Sequence, residues 1–149
     1  MSEQRIVEVV YIKSSLTEVW DALTNPDLTE RYWFGTRIDS QWTVGSKVLY
    51  IRNGDITDEH VVLAVDEPHG FSHTFKPVFG EFQSEAPSRV TVALDENSGV
   101  VRLTVVHDDF ARESKVFPAC RQGWPMILSN LKTLLETGTP LPPFTFPPQ

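Results

Sequence analysis

Apart from its carboxylates, this sequence holds few groups able to move protons, attack carbon or bind a metal. Four His, one Cys and 20 Asp+Glu stand among 149 residues. His60, His69, His73 and His107 lack the i, i+4 spacing of a helical zinc site, and none has a cysteine nearby. His69 and His73 are four apart, but Pro68-His69-Gly70 reads as a turn. No metal is expected. The single cysteine, Cys120, excludes an intramolecular disulfide and a multi-cysteine zinc site. Arg121 beside it is a cation of the kind that lowers a thiol pKa, yet no histidine is placed next to it, so Cys120 reads as a packed side chain. There is no Gly-x-Ser-x-Gly turn, phosphate loop or dinucleotide fingerprint, so no cofactor is expected either. Asp108-Asp109 beside His107 has the residue types of an acid–base pair without a diagnostic spacing. Most other carboxylates, Asp55, Asp58, Glu59, Asp66 and Glu67 among them, fall in predicted turns, where a solvated role is the ordinary one. No residue is assigned a catalytic part.

The aromatic residues are more informative. Nine Phe, four Trp and three Tyr make up 11% of the chain. Trp33, Phe34, Tyr50, Phe71, Phe75, Phe79, Phe110 and Trp124 fall on or beside elements that would enclose an interior, with Phe82 and Phe117 near them. Residues i and i+2 of a strand share a face, so His73 joins Phe71 and Phe75, and His107 joins Val105. Two readings stand side by side. One is a solid core with hydrogen-bonded histidines; the other is an apolar cavity with His73 and His107 as polar anchors. The candidate ligand-binding set is those eight aromatics, the two histidines, and Ile127, Leu128 and Leu131 from the last predicted helix.

Periodicity supplies the elements that must hold these residues. Arg5 to Ile12, rich in Val and Ile, reads as a strand with apolar residues at both parities and both faces at least partly covered. Ser15-Leu16-Thr17-Glu18 reads as a capping box, with Leu16, Val19, Trp20 and Leu23 following at helical spacing. Asn25-Pro26 ends that helix and starts a short second one through about Tyr32. From Thr36 to His107 the period is two. Val48 with Tyr50, Val61 with Leu63 and Val65, Phe71 with His73 and Phe75, Val90 with Val92 and Leu94, and Val101 with Leu103 and Val105 each mark one face of a strand. Short turns, including the hairpin loop from Asp95 to Gly99, make these an antiparallel meander. Trp124, Ile127, Leu128, Leu131, Leu134 and Leu135 form one apolar face of a closing helix that stops at Gly138. Pro118 and Pro125 place its start near Gly123, with a separate or kinked turn upstream from Arg112. Residues 140–149 hold five of the eleven prolines and are predicted to be extended. Their Leu141, Phe144 and Phe146 predict docking, either on their own domain or on a second copy, and the second arrangement would be a homodimer.

The order is strand, two helices, about six strands and a long helix. It predicts an α+β chain in which a curved antiparallel sheet of six to seven strands wraps a C-terminal helix. The chain resembles the START-like, or SRPBCC, superfamily with its helix-grip fold, and within it the bacterial family related to the C-terminal domain of the activator of the heat-shock-protein-90 ATPase. The resemblance is carried by Val19-Trp20-Asp21-Ala22-Leu23-Thr24-Asn25-Pro26, Tyr32-Trp33-Phe34-Gly35 and Val62-Leu63-Ala64-Val65-Asp66-Glu67-Pro68. It continues through Arg102-Leu103-Thr104-Val105-Val106-His107 with Phe110, then Gly123-Trp124, Asn130-Leu131-Lys132 and Leu135-Glu136-Thr137-Gly138. It covers roughly residues 5–138, with residues 1–139 as the helix-grip domain and 140–149 as a Pro-rich tail; Pro118, Pro125 and the tail depart from it. The superfamily includes lipid, sterol, hormone and polyketide binders. The resemblance therefore implies a non-catalytic module for a small apolar or aromatic molecule, in a cavity between sheet and helix. It also implies two alternatives. A polyketide cyclase or dehydratase would use Tyr50, His73 and His107, and a co-chaperone would bind another protein. The full activator has a separate chaperone-binding domain for which 149 residues leave no room.

Size and charge narrow the classes. The length suits one domain. A formal charge of −7 argues against duplex nucleic acid, which needs clustered Lys and Arg. The N-terminus lacks a signal-peptide pattern, and no apolar run approaches the roughly 18–20 residues of a membrane span. No membrane partner and a cytoplasmic location are the expectations.

Overall fold

The computed structural model describes residues 4–147. Seven strands make one antiparallel sheet: β1 (Ile6–Lys13), β2 (Arg37–Ser40), β3 (Lys47–Arg52), β4 (Asp55–Asp66), β5 (Gly70–Phe75), β6 (Ser88–Asn97) and β7 (Val100–Asp108). Their spatial order is β1-β7-β6-β5-β4-β3-β2. Two short helices, α1 (Leu16–Thr24) and α2 (Pro26–Tyr32), follow β1, and α3 (Val116–Thr137) closes the chain. This is the predicted α+β helix-grip arrangement. Its core lies between the inner sheet face and α3. Val90, Val92 and Leu94 of β6 and Val101, Leu103 and Val105 of β7 are buried, as are Trp124, Ile127, Leu128, Leu131 and Leu134 of α3.

Local chemistry sets the helix ends. The Ser15 hydroxyl accepts from the Glu18 N–H at 3.2 Å and bonds the Glu18 carboxylate at 3.0 Å. The Glu18 side chain thus meets the cap's hydroxyl, not the backbone N–H of a reciprocal capping box. Asn25 caps α2 through the Asp27 N–H at 3.0 Å, with Pro26 in the first turn. Gly138, at φ 85°, ends α3 in the left-handed conformation.

Two further expectations change. First, α3 is continuous from Val116, not from Gly123. Pro118 falls in its first turn, where no N–H is needed, and Pro125 lies on the exposed side, where the carbonyl it leaves unbonded meets water. Second, β1 is covered on one face only: Ile6 and Ile12 are buried, while Val7, Val9 and Tyr11 are exposed. On β4, Val61 and Leu63 do share one face, and it is the outer one; Asp58, His60 and Val62 turn inward.

As an edge strand, β1 is tied by α3. Lys132 Nζ donates to the Tyr11 carbonyl, and the Lys13 N–H donates to Glu136 Oε2 at 2.8 Å. The tail folds back along α3 within the same chain. The Leu141 N–H donates to Asn130 Oδ1 at 2.7 Å, and Gln122 Nε2 donates to the Phe146 carbonyl at 3.4 Å.

Candidate ligand-binding site

The turn after α2 sets the site's geometry. Phe34 (φ 52°) and Gly35 (φ 74°) take left-handed backbone, which sends Trp33 inward and leaves Phe34 exposed. Buried Thr29 fixes this turn: its hydroxyl donates to the Thr36 carbonyl at 2.9 Å and accepts from the Ile38 N–H at 3.0 Å. Asn130 Nδ2 joins α3 to the same turn through the Tyr32 carbonyl at 2.9 Å. Trp33 then meets Tyr50 and Trp124 edge-on, with ring centroids 5.6 and 5.5 Å away.

Two spaces flank this Trp33–Tyr50 wall. The inner one, between the sheet and α3, is lined by Trp33, Tyr50, Phe71, His73, Trp124, Ile127, Leu128 and Leu131, and its free volume is about 10 Å³. That is room for roughly one water molecule. The interior is filled by its own side chains. The outer space is a vestibule of about 170 Å³, opening between β3, β4 and the start of α3. Trp33, Phe34, Tyr50, Phe75, Phe79, Phe82 and Ile127 line it, together with Arg52, Asp58 and Cys120.

Eleven of the thirteen candidate residues therefore border one space or the other. His107 and Phe110 border neither. Trp124 Nε1 donates to His107 Nδ1 at 3.1 Å, and Ser88 Oγ lies 2.8 Å from Nε2. An indole nitrogen only donates, so the neutral ring carries its proton on Nε2 and gives it to Ser88. Both ring nitrogens are engaged, and burial lowers the His107 pKa to about 3. Phe110 packs on this histidine at 4.4 Å. His73 sits in the inner wall with Nδ1 2.6 Å from the Thr74 carbonyl, and burial lowers its pKa to about 4.

The polar side of the vestibule escaped the sequence reading. Asp58, expected in a solvated turn, is buried, and burial raises its pKa to about 6 against the opposing effects of the Thr57 hydroxyl and Arg52. Thr57 Oγ1 donates to Asp58 Oδ1 at 2.7 Å. Two residues on, His60 is fully buried and stacks on both His73 and Phe75 at 4.8 and 4.7 Å. Its Nδ1 accepts from the Lys76 N–H at 2.8 Å, so the proton of the neutral ring sits on Nε2. That Nε2 has no hydrogen-bond partner; Asp58 Oδ2 is 3.7 Å away. Arg52 holds Thr36 Oγ1 with both Nε and Nη2, at 3.1 and 2.8 Å. Cys120 is not activated: burial first, then the charges of Asp58 and Glu85, push its thiol up to about 12. A parity signal was available, because Asp58, His60 and Val62 share one strand face.

Residues 13–136 match the family model of activator of Hsp90 ATPase homolog 1-like proteins. Solved structures show the same fold at low identity. CalU16 from Micromonospora echinospora superposes with a TM-score of 0.71 at 19% identity, covering 93% of this chain and 77% of its own. The Aha1 dimer from Colwellia psychrerythraea gives 0.69 at 20%, covering 90% and 97%. An HSP90 activator from Plasmodium falciparum gives 0.72 at 18%, covering 89% and 96%. No curated protein matches the sequence.

Proposed function

The chain belongs to the activator of Hsp90 ATPase homolog 1-like family, and we propose that it is a non-catalytic binding module for one small apolar or aromatic molecule. The vestibule carries this reading: aromatic walls surround a few convergent polar groups, Tyr50, Asp58 and Arg52. Drug-sized pockets typically enclose roughly 300–1,000 Å³. The 170 Å³ here suits a molecule of one or two rings. The unpaired Cys120 fits a reducing, cytoplasmic setting. The dimeric Colwellia relative supports a homodimer as the assembly. Neutral one- and two-ring compounds should shift the backbone amide signals of Ala119 and Cys120 in a saturable way. Ala119 is exposed at the vestibule, so Ala119→Trp should obstruct it and abolish the shifts while leaving the fold intact. Equal shifts in the variant would place the binding elsewhere.

One observation favours a second reading, a co-chaperone-like interaction protein: the interior is filled, with about 10 Å³ free. Saturable capture of the heat-shock-protein-90 chaperone, together with no response to any ring compound, would replace the first reading with this one.

A further inference from the structure

Arg52 is placed unlike the ion-paired arginines of the chain. Arg37, Arg89 and Arg102 lie on the surface, each within 3.2 Å of a carboxylate. Arg52 is half-buried, lines the vestibule and forms no ion pair among the described residues. Its head does not swing freely, because the hydroxyl of Thr36, a fully buried residue, takes both Nε and Nη2. The fork is thus fixed from one side, and Nη1 has no acceptor among the described residues. A guanidinium presented this way in an apolar recess recognises a carboxylate through charge-assisted hydrogen bonds.

We propose that the vestibule is specific for an aromatic carboxylate, its ring among Trp33, Phe34 and Phe79 and its anionic group on Arg52, with Asp58 taking up a proton as the anion binds. This rests on the binding reading above. Asp58 faces the same space, and an anion on Arg52 withdraws the positive charge that favours its ionised form while adding a like charge nearby. The other titratable groups around Asp58 hold their state between pH 5 and 8. On β4, His60 is kept neutral by burial; on β5, so is His73. On β3, Tyr50 is pushed well above its usual value, chiefly by burial; on α3, Cys120 remains a thiol. Asp58, near 6 in the free protein, is the group among these that can exchange the proton.

The test compares 2-naphthoate with its neutral amide, 2-naphthamide, by calorimetric titration of the full chain. At pH 6 the carboxylate should bind at least about tenfold more tightly than the amide. Its affinity should fall as the pH rises from 5 to 8, by up to about tenfold per unit above pH 6, with proton uptake visible as a buffer-dependent heat. Arg52→Gln should erase the preference for the carboxylate, and Asp58→Asn should flatten the pH dependence. If the amide binds as well as the carboxylate to the unaltered protein, the specificity is refuted and the binding module stands. If neither probe binds, both fall. A carboxylate preference that persists in a folded Arg52→Gln protein would move the anion site elsewhere and overturn the assignment.

Discussion

Asp58 and the three interior histidines pull stability in opposite directions as pH changes. The Asp58 carboxyl is raised from 3.8 to about 6 by burial, so between those values the folded protein holds a proton that the unfolded chain has released. Its contribution is fully present below about pH 4 and is lost as the pH rises through 6, by about 3 kcal/mol in all. Asp58→Asn should therefore be more stable than the parent at pH 8 by up to that amount, with the advantage shrinking towards pH 4. Urea melts at the two pH values measure it, and an equal difference at both would refute the buried-charge account. The histidines are held neutral: His73 is lowered to about 4 and His107 to about 3. Their contribution is present above 6.5 and disappears as the pH falls towards those values. His107→Leu should cost about 2–4 kcal/mol at pH 7, because Trp124 Nε1–H and the Ser88 hydroxyl both lose their partner in a dry interior. The same variant should lose less stability than the parent between pH 6.5 and 4, a comparison that thermal melts can make.

The strands show where pattern reading succeeds and where it stops. β5, β6 and β7 alternate as their sequences suggest, because most of their large apolar residues, Phe71 and Phe75, Val90, Val92 and Leu94, and Val101, Leu103 and Val105, fall on the buried parity of each strand. β4 misleads. Val61, Leu63 and Val65 look like a core face, yet Val61 and Leu63 are exposed, and the buried parity carries Asp58 and His60. Hydropathy alone selects the wrong face, since the strand's inner end lines the vestibule. The recognition groups sit at the place where apolar patterning breaks down, as functional sites commonly do. Arg52 was hidden for a related reason: its partner Thr36 is 16 residues away, and no local rule joins them. The start of α3 was misjudged because a proline's cost depends on which way the freed carbonyl faces, and that is tertiary information. Gly70 is fixed by contact. At φ 156° a Cβ there would run into the Val92 carbonyl of β6. Gly70→Ala should destabilise the β5–β6 pairing by more than the roughly 0.5–1 kcal/mol of an ordinary strand substitution, and faster amide exchange at Phe71 and Val92 would show it. Unchanged exchange at both would mean that the strands part easily at that point.

One sheet, one long helix and a returning tail make up the molecule. The tail's contacts with Asn130 and Gln122 lie on the outer side of α3, and Leu141 and Phe144 are half-buried beside Phe34 and Arg31. Truncation after Thr139 should lower the melting temperature by a few degrees, since a loss of about 1 kcal/mol corresponds to roughly 2–8 °C in domains of this size range. An unchanged melt would leave the tail contacts without weight. The tie between α3 and β1 has a consequence in time. Lys132 and Glu136 stand 121 and 123 residues beyond the backbone groups they hold on β1. On the ribosome, β1 emerges well before its partner strand β7 and its guard α3, and has to wait for both. Until then the nascent chain carries an open strand of Val and Ile that can pair with any neighbour. This fold is completed from its two ends at once and late, so the interval between the emergence of β1 and the docking of α3 is when the newborn protein depends most on being shielded from its own kind.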